Sequence, residues 1–419
     1  MTADAPALPA VLLGGSLNTI SAARALGSRG IAVDVLHDGV SNGLVSYSRF
    51  CRRFVDFGPQ DVQHEWLSWL LASPEPAVVI PCCDDGVELI ARHRSELLSS
   101  GHRPVEADPD VLLAMLDKDR TYELARTVGV PAPRTATVHD LESLGIEARR
   151  MRYPCATKPV QPNALRQALH AADMELPVKE IVKGKDLRNA EEAISALSPV
   201  AEMGVPMLLT EVVEGPDANY CSYYSYLDHH GEPLFHFTKR KLRQYPIHFG
   251  GGTYHKTEWQ PDVAEMGLAF FQGIGLRGIG NVEFKRDSRD GQLKLIECNP
   301  RLTASDNLIR AAGVDIPYIA YCAAAGYPVE APDGFADGLW QWLPADDLKA
   351  FGAYRREGEM SVWEYAKSIL HKQHFPVMDL DDVGPAVVGA YRTLRRRVQD
   401  MAQELRSEGE RAEPVPTHL

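Results

Sequence analysis

Two apolar runs near the middle of the chain constrain its fold and chemistry more than any other stretch. Residues 281–285 and 293–299 are each long enough for a strand, and the segment between them ends in Asp290-Gly291. An Asp-Gly pair readily adopts the positive φ angles that a tight hairpin turn needs. The sequence therefore predicts an antiparallel hairpin at this place.

Three oxygen-bearing side chains of this hairpin can share one face. Glu297 and Asn299 do so because side chains alternate along a strand, and Glu283 joins them from the paired strand. Two carboxylates and an amide oxygen are ligands that Mg²⁺ prefers, and Mg²⁺ commonly completes its shell with substrate phosphates. An amphipathic hairpin with an acidic outer face would show the same pattern, so these residues alone leave both interpretations open.

The composition is that of a soluble globular protein with two or three domains. The chain has 419 residues, of which 45% are hydrophobic and 24% charged. Its net charge of −13 disfavours general binding to nucleic acid, which needs a basic face. The start lacks the features of a signal peptide, and no apolar run is long enough to span a membrane. The seven cysteines are scattered and odd in number, which predicts free thiols and a cytoplasmic location.

Apolar runs that alternate with helical stretches predict a small open α/β sheet over residues 1–116. Gly14-Gly15 lies between the first strand and helix, where backbone N–H groups favour anions. It is not a full G-x-G-x-x-G fingerprint, so a turn needing small residues and an anion subsite both stay open. Asp84 and Asp85 follow a further strand, where they would cap a helix or contact a substrate amine.

Basic residues stand out in the following part of the chain. Lys118 begins a predicted helix, and Lys158 precedes a proline in an apolar strand, where a lysine is unusual unless an anion meets it. Residues 207–213 predict a buried strand that ends in a turn at 215–217. Residues 239–253 place four basic residues beside three consecutive glycines, which predicts a loop that closes over a ligand or a solvated basic loop.

These motifs occur in the order Lys118, Lys158, the 211–217 turn, a glycine-bearing loop, then Glu283 followed by Glu297-x-Asn299-x-Arg301. The ordered set resembles the ATP-grasp superfamily, and within it the predicted carboxylate–amine ligases, which include D-aspartate ligase-like and carbamoyl-phosphate-synthase-like members. The resemblance covers roughly residues 10–330.

The resemblance implies a fold that mixes the α/β and α+β classes. An N-terminal open α/β sheet domain, the usual pre-ATP-grasp domain, would occupy residues 1–116. A two-lobed ATP-grasp domain would occupy 117–330, with lobes at about 117–205 and 206–330. Beyond the resemblance, the helical and charged sequence predicts a C-terminal helical extension at 331–419, and the polar residues from 406 predict a disordered tail.

It also implies how a nucleotide is held. Lys118 and Lys158 match the two lysines that hold the ATP phosphates, and Asp217 matches the carboxylate on the ribose hydroxyls. The strand whose backbone recognises the adenine edge matches Glu211, Val212 and Val213. Many relatives have a glycine-rich loop soon after the second lysine, but residues 160–164 contain no glycine. Phosphate cover would then come from residues 250–252, or from Lys183 and Lys185.

The remaining matches concern the metal and the chemistry. Glu283, Glu297 and Asn299 match the Mg²⁺ ligands, with Mn²⁺ as an alternative ion. Arg301 matches the arginine that steadies an acyl phosphate. His248 is similar to a histidine of the carbamoyl-phosphate synthases, which points weakly to a phosphate or substrate contact.

The implied activity is ATP-dependent ligation, in which a carboxylate is activated as an acyl phosphate and coupled to an amine, with release of ADP and phosphate. The alternatives are a bicarbonate-activating enzyme, slightly favoured by His248, and a nucleotide-binding regulatory protein that has lost catalysis. The expected partners are a small carboxylic acid and an amine such as an amino acid, and a homodimer fits because relatives often form dimers. The expected substrate pocket is lined by Ser16, Asn18, Asp84, Asp85, Arg243 and Arg301.

Overall fold

The computed structural model describes residues 8–105, 108–160, 165, 187–395 and 399. Most of the expected insertion at 160–180, the tail from 406, Lys183 and Lys185, and the side chain of Lys158 lie outside this description. Among the described helices, none combines the length and the hydropathy needed to cross a membrane.

The first part of the chain forms a five-stranded sheet. Its strands are β1 (Ala10–Leu13), β2 (Val33–His37), β3 (Cys51–Asp56), β4 (Val78–Pro81) and β5 (Arg103–Pro104). They are all parallel, in the order β3-β2-β1-β4-β5. Parallel strands need crossover connections. Helices α1 (Leu17–Gly27), α2 (Val62–Ala72) and α3 (Asp84–Ser99) provide three of them, and the connection from β2 to β3 contains a short 3₁₀ helix at Leu44–Tyr47. The predicted open α/β sheet is confirmed.

A small antiparallel sheet follows two linking helices, α4 (Pro109–Leu116) and α5 (Lys118–Thr127). Its strands are β6 (Thr135–Val138), β7 (Cys155–Pro159) and β8 (Met207–Glu211), with β8 in the centre. Helices α6 (Leu141–Arg150) and α7 (Ala190–Glu202) cover it and bury an aliphatic core that includes Leu144 and Leu197. Each helix starts at an Asp or Asn whose side chain accepts from the first turn, which explains where it begins.

The third sheet has seven strands and is mainly antiparallel. They are β9 (Tyr220–Leu227), β10 (Phe237–Tyr245), β11 (Gly251–Thr257), β12 (Gly278–Arg286), β13 (Leu293–Asn299), β14 (Trp340–Trp342) and β15 (Gln373–His374). Their order is β13-β12-β9-β10-β11-β14-β15. The predicted hairpin is confirmed as β12 and β13, with Gly291 at a φ of 74° in its turn.

One face of this sheet is apolar because it packs on helix α8 (Pro261–Gly273). Phe270 and Phe271 of α8 belong to the same buried cluster as Val282, Phe284 and Leu295 of the hairpin. Side chains alternate along a strand, so the residues between them point to the opposite face. That face carries the polar side chains of the candidate site.

Helices α9 (Asp306–Ala311) and α10 (Ile316–Ala325) follow the hairpin. The C-terminal extension from residue 331 is helical, and it also adds strands β14 and β15 to the large sheet. Its helices are α11 (Pro344–Arg356), α12 (Val362–Ser368) and a helical stretch at 384–395. Trp340 pairs with Lys256 and Trp342 with Tyr254 of β11. Tryptophan favours strands, and the alternation of this short segment suits the open edge of the sheet.

A buried ion pair fastens the extension to the large sheet. The Arg243 guanidinium donates from Nε to Asp347 Oδ1 at 2.8 Å and from Nη2 to Asp347 Oδ2 at 2.7 Å. Trp342 and Thr253 also donate to this carboxylate, each at 2.8 Å. A buried charge needs such complete pairing because an unpaired one is strongly disfavoured.

A second buried ion pair fastens the extension to the N-terminal sheet. Arg24 of α1 donates from Nε to Asp382 Oδ2 at 2.9 Å, and both side chains are 1% exposed. Ser48 and the main-chain N–H of Arg49 donate to the same carboxylate at 2.7 Å and 2.8 Å. The extension therefore bridges the first sheet and the third.

Replacing Asp382 tests this bridge. In Asp382→Asn the side chain keeps its shape, but Arg24 loses its buried counter-charge and keeps only the more distant Asp379, at 4.0 Å, so we expect the free energy of unfolding to fall by about 3–5 kcal/mol. Urea unfolding followed by circular dichroism measures the change. The exposed neighbour Asp381 offers its main-chain carbonyl to Arg49, so Asp381→Asn is the matched control. Equal stability of the two variants would contradict the role given to the pair.

Candidate active site

The hairpin gathers its oxygen-bearing side chains on one face. Glu283 lies opposite Glu297, and Asn281 lies opposite Asn299. Directly opposed side chains have Cβ atoms about 4.5–5.5 Å apart, so the two carboxylates face the same small volume. Asn299 Nδ2 donates to Asn281 Oδ1 at 3.0 Å and approaches Glu297 Oε1 at 3.4 Å. The three donors that the sequence predicts therefore stand together.

Two lysines from other elements balance the charge of these carboxylates. Lys241 of β10 donates to Glu283 Oε1 at 2.7 Å, and Lys118, the first residue of α5, donates to Glu297 Oε2 at 3.3 Å. The pair at Glu283 is mostly buried, whereas Lys118 and Glu297 are 40% and 44% exposed. Two adjacent carboxylates and an amide suit a hard divalent cation, with lysines at hand for phosphate oxygens.

A cavity of about 210 Å³ opens beside the hairpin face. Its lining includes Lys118 and Glu297, and also Asp84 and Arg301. Arg301 Nε donates to Asp84 Oδ1 at 2.6 Å. Apolar side chains from the end of α4 supply another part of the wall. The cavity thus offers two sets of opposite charges and an apolar surface.

A second cavity of about 300 Å³ lies next to the first. The end of β8 and the residues after it, Glu211, Val212 and Val213, form part of its wall. The Val212 N–H donates to the Pro154 carbonyl at 2.9 Å, which fixes the main chain here. Lys118 lines both cavities, so they meet at this lysine.

The Glu211 side chain is buried and already bonded. Arg289 Nη2 donates to its Oε1 at 2.6 Å, and the main-chain N–H of Arg134 donates to its Oε2 at 3.2 Å. A ligand in the larger cavity would therefore meet the main chain at this position, as the sequence analysis expects.

Comparisons with known proteins agree with this geometry. Residues 256–331, which contain the whole hairpin, match the family model of the carbamoyl-phosphate synthase L chain, ATP binding domain. The C-terminal section of the carbamoyl phosphate synthase large chain of Methanopyrus kandleri is 24% identical over 254 residues, which are 57% of this chain and 44% of that protein. The D-aspartate ligase of Enterococcus faecium is 25% identical over 292 residues, 67% of each protein.

Among solved structures, the biotin carboxylase domain of the Hydrogenobacter thermophilus 2-oxoglutarate carboxylase matches with a TM-score of 0.59 at 18% identity. The match covers 80% of this chain and 74% of that one. That domain was crystallised as a dimer with MgADP, ADP and bicarbonate. The chain has the ATP-grasp fold.

The superfamily resemblance gives Asp217 the ribose hydroxyls, but the described contacts differ. Asp217 is 3% exposed, its Oδ2 accepts from the His248 main-chain N–H at 3.0 Å and from the Tyr354 hydroxyl, and it is not among the residues lining the larger cavity. Burial alone would raise the pKa of Asp217, but the hydrogen bonds from His248 and Tyr354 outweigh burial and lower it to about 2. The carboxylate anchors the loop at His248.

The His248 ring lies between Asp217 and two carboxylates of the extension, and the residue has a φ of 68°. Nδ1 is 3.4 Å from Asp217 Oδ1, and Nε2 is 3.2 Å from Glu359 Oε1 and 3.4 Å from Glu357 Oε2. The hydrogen bond to Asp217 raises the pKa of His248 to about 9, although burial opposes this. The ring lines the larger cavity, and its contact with a phosphate or a substrate stays a prediction.

The basic residues beside the glycines are part of the sheet rather than of a loop, and the sequence analysis missed their role. Lys239 and Lys241 project from β10 to the same side, and Lys239 Nζ lies 3.2 Å from His255 Nδ1. Burial lowers the pKa of Lys239 to about 8, and burial with two neighbouring lysines holds the pKa of His255 well below its ordinary value. The spacing of two between the lysines was the signal that a strand was present.

Two of the three glycines allow close packing. A Cβ on Gly250 would lie 2.0 Å from the carbonyl carbon of Tyr245, and one on Gly252 would lie 2.1 Å from the His255 ring. Gly251 and Gly252 begin β11. The expectation of a loop at these two residues is therefore wrong, and a role of residues 250–252 in covering the phosphates stays a prediction.

The substrate pocket expected from the sequence is only partly assembled. Asp84 and Arg301 meet as expected, and Asp85 lies next to them, accepting from Gln63 at 3.2 Å. Asn18 is buried and donates to two main-chain carbonyls at 2.6 Å and 2.8 Å, so it joins α1 to the end of the hairpin. Arg243 is withdrawn into its ion pair in the extension.

Lys158 stays a sequence-based prediction. Its backbone lies in β7 opposite Leu208 of β8, and Leu208 lines the larger cavity. Its side chain is outside the described part of the chain.

The raised pKa of His248 predicts a pH-dependent stability. A group whose pKa is higher in the folded state stabilises fully below its unfolded value, about 6.5, and loses this contribution as pH rises through its folded value. For His248 that value is about 9. We expect the stability advantage of the wild type over His248→Gln to shrink between about pH 6.5 and pH 9. Urea unfolding at several pH values measures it, with His64→Gln on the exposed face of α2 as control. A constant advantage would contradict the prediction.

Proposed function

We propose that the protein is an ATP-dependent ligase that activates a substrate carboxylate and joins it to an amine. The observation that carries this proposal is the meeting of two cavities at Lys118, beside the carboxylates of the hairpin. The larger cavity takes the nucleotide, with its base on the main chain of residues 211–213. The smaller one takes the carboxylic acid and the amine.

The donor set of the hairpin fits magnesium. Glu283, Glu297 and Asn299 would hold Mg²⁺, or Mn²⁺, from one side and leave the other side to phosphate oxygens. When bound, the ion supplies charge neutralisation on the phosphoryl group. The lysine contacts of Glu283 and Glu297 support this fit, because the site already balances two adjacent negative charges with cations.

Basic residues of the site would bind the phosphates and the substrate carboxylate. Lys118, Lys158 and Lys241 hold phosphate oxygens as point charges, which suits a phosphoryl group whose charge spreads over its oxygens. Arg301 orients the substrate carboxylate with its planar guanidinium. Asp84, which now accepts from Arg301, is placed to accept from the amine.

The proposed reaction has two steps. A carboxylate oxygen of the acid attacks the γ-phosphorus, and the bond to the β-phosphate oxygen breaks, which gives an acyl phosphate and ADP. The amine nitrogen then attacks the acyl carbon, loses a proton and expels inorganic phosphate, which leaves an amide. Positioning and electrostatic stabilisation are the demands of this chemistry, and it needs no protein nucleophile.

One relative supports an amine as the acceptor, and others support the alternative reaction, activation of bicarbonate. D-aspartate ligase, matched over two thirds of its length, is named for the joining of an amino acid. The carbamoyl phosphate synthase relatives favour activation of bicarbonate as the second candidate. This chain spans less than half of the length of those synthases, so their complete reaction is not carried over.

Glu297 gives the direct test. Glu297→Gln keeps the size of the side chain but removes a charge from the metal face, so we expect ADP formation to fall by about 100-fold or more. Asp290→Asn, at the turn of the same hairpin, is the matched control and should keep wild-type turnover. A coupled ADP assay reports both. Wild-type-like ADP release by Glu297→Gln would refute the proposed site.

A screen of substrate pairs tests the reaction class. Phosphate release that requires both an acid and an amine, with appearance of the amide by mass spectrometry, is the expected result. Phosphate release with bicarbonate and no amine would favour the second candidate. Nucleotide binding without turnover across amino acids and small acids would favour a regulatory protein.

A further inference from the structure

The larger cavity is lined in part by polar residues to which the proposed nucleotide site gives no role. In the proposed nucleotide site, the main chain at residues 211–213 would hold the base, and Lys118 and Lys285, which also line the cavity, would lie at the phosphates. The sugar of a nucleotide lies between its base and its phosphates. The other lining residues include Gly215, His248 and Glu359.

We propose that Glu359, a residue of the C-terminal extension, accepts the hydrogen bonds of the ribose hydroxyls, and that Tyr354 and Asp217 position it through His248. This inference rests on the proposed ATP-dependent function. It makes the extension a part of the nucleotide site and gives Asp217 a positioning role.

The Asp217 carboxylate is already hydrogen-bonded within the protein. Both of its oxygens face donors of the chain, namely the main-chain N–H and ring of His248 and the Tyr354 hydroxyl. Tyr354 is itself 3% exposed, and it also accepts from the Gln244 main-chain N–H at 3.2 Å. A ribose could reach Asp217 only if this buried network came apart. Leaving such groups unpaired costs about 1–3 kcal/mol each, and more for a charged one.

Glu359, by contrast, is accessible from the larger cavity. Its side chain is 41% exposed, and the residue lines the cavity. Its main-chain N–H donates to the Tyr354 carbonyl at 2.8 Å, directly after Gly358 at a φ of 77°. These contacts fix the backbone of the turn that follows α11. The backbone that carries the carboxylate is therefore held at the wall of the cavity.

The contacts of His248 leave the Glu359 carboxylate able to accept. Nδ1 of the ring faces Asp217 Oδ1 at 3.4 Å, and Nε2 is hydrogen-bonded to Glu357 Oε2 at 3.4 Å. Glu359 Oε1 forms an ion pair with Nε2 at 3.2 Å, which keeps this carboxylate beside the ring. A carboxylate has about four lone-pair sites, so Glu359 keeps acceptors for a pair of neighbouring hydroxyls. Glu357 is not among the residues lining the cavity.

The test compares ATP with 2′-deoxy-ATP, which lacks one of the two hydroxyls. Binding is measured by calorimetry with Mg²⁺ and without acid or amine. A hydrogen bond to a charged group contributes enough for about tenfold in affinity, so the wild type should bind ATP about tenfold more tightly than 2′-deoxy-ATP. Glu359→Gln should bind ATP more weakly and lose most of this preference.

Two further variants make the test specific. Glu357→Gln removes the neighbouring carboxylate on His248 and should keep the wild-type preference. Tyr354→Phe frees Asp217 Oδ2 and should reduce the preference less than Glu359→Gln does, because it acts only through position.

The outcomes separate this inference from the proposed function. Retention of the wild-type preference by Glu359→Gln, with normal ATP binding, overturns the role of Glu359 and leaves the ligase proposal standing. Loss of the preference in Asp217→Asn but not in Glu359→Gln also overturns it, and returns the ribose to Asp217. A chain that binds no adenine nucleotide overturns both proposals.

Discussion

The pairing of β12 with β13 is the constraint on which the rest of the site depends. It sets Glu283 against Glu297, and like charges at opposed positions of a sheet repel each other. The fold tolerates this because Lys241 and Lys118 reach the two carboxylates from different elements. The surrounding basic residues are thus a requirement of the hairpin, in a chain whose net charge is −13.

Much of the fold and of the hairpin site could be predicted, because it depends on residues close together in the sequence. The hairpin follows from an Asp-Gly turn and an alternation of period two, and Glu297 and Asn299 share a face whatever lies around them. The parallel sheet follows likewise from apolar runs separated by helices. The order of the motifs, rather than any one of them, allowed the ATP-grasp architecture to be expected.

What could not be predicted depends on partners far apart in the chain. Tyr354 meets Asp217 across 137 residues, and Arg243 meets Asp347 across 104. No local pattern states that a conspicuous arginine will be withdrawn into a buried pair, or that an acidic residue after a turn will be covered by a tyrosine. The short strand at Trp340–Trp342 forms only because β11 offers it an edge. Lys239 and Lys241 are different, since their spacing could have been recognised.

The extension reaches back to the first sheet, where Arg24 and Asp382 join residues 358 positions apart. Tyr321 of α10 also donates to the carbonyl of Leu8, at 2.6 Å. The polypeptide is thereby closed on itself, with segments near its beginning and its end sharing one interior. Neither segment can detach without exposing buried charge on the other. The closing segment is therefore an integral part of the folded protein and not an appendage to it.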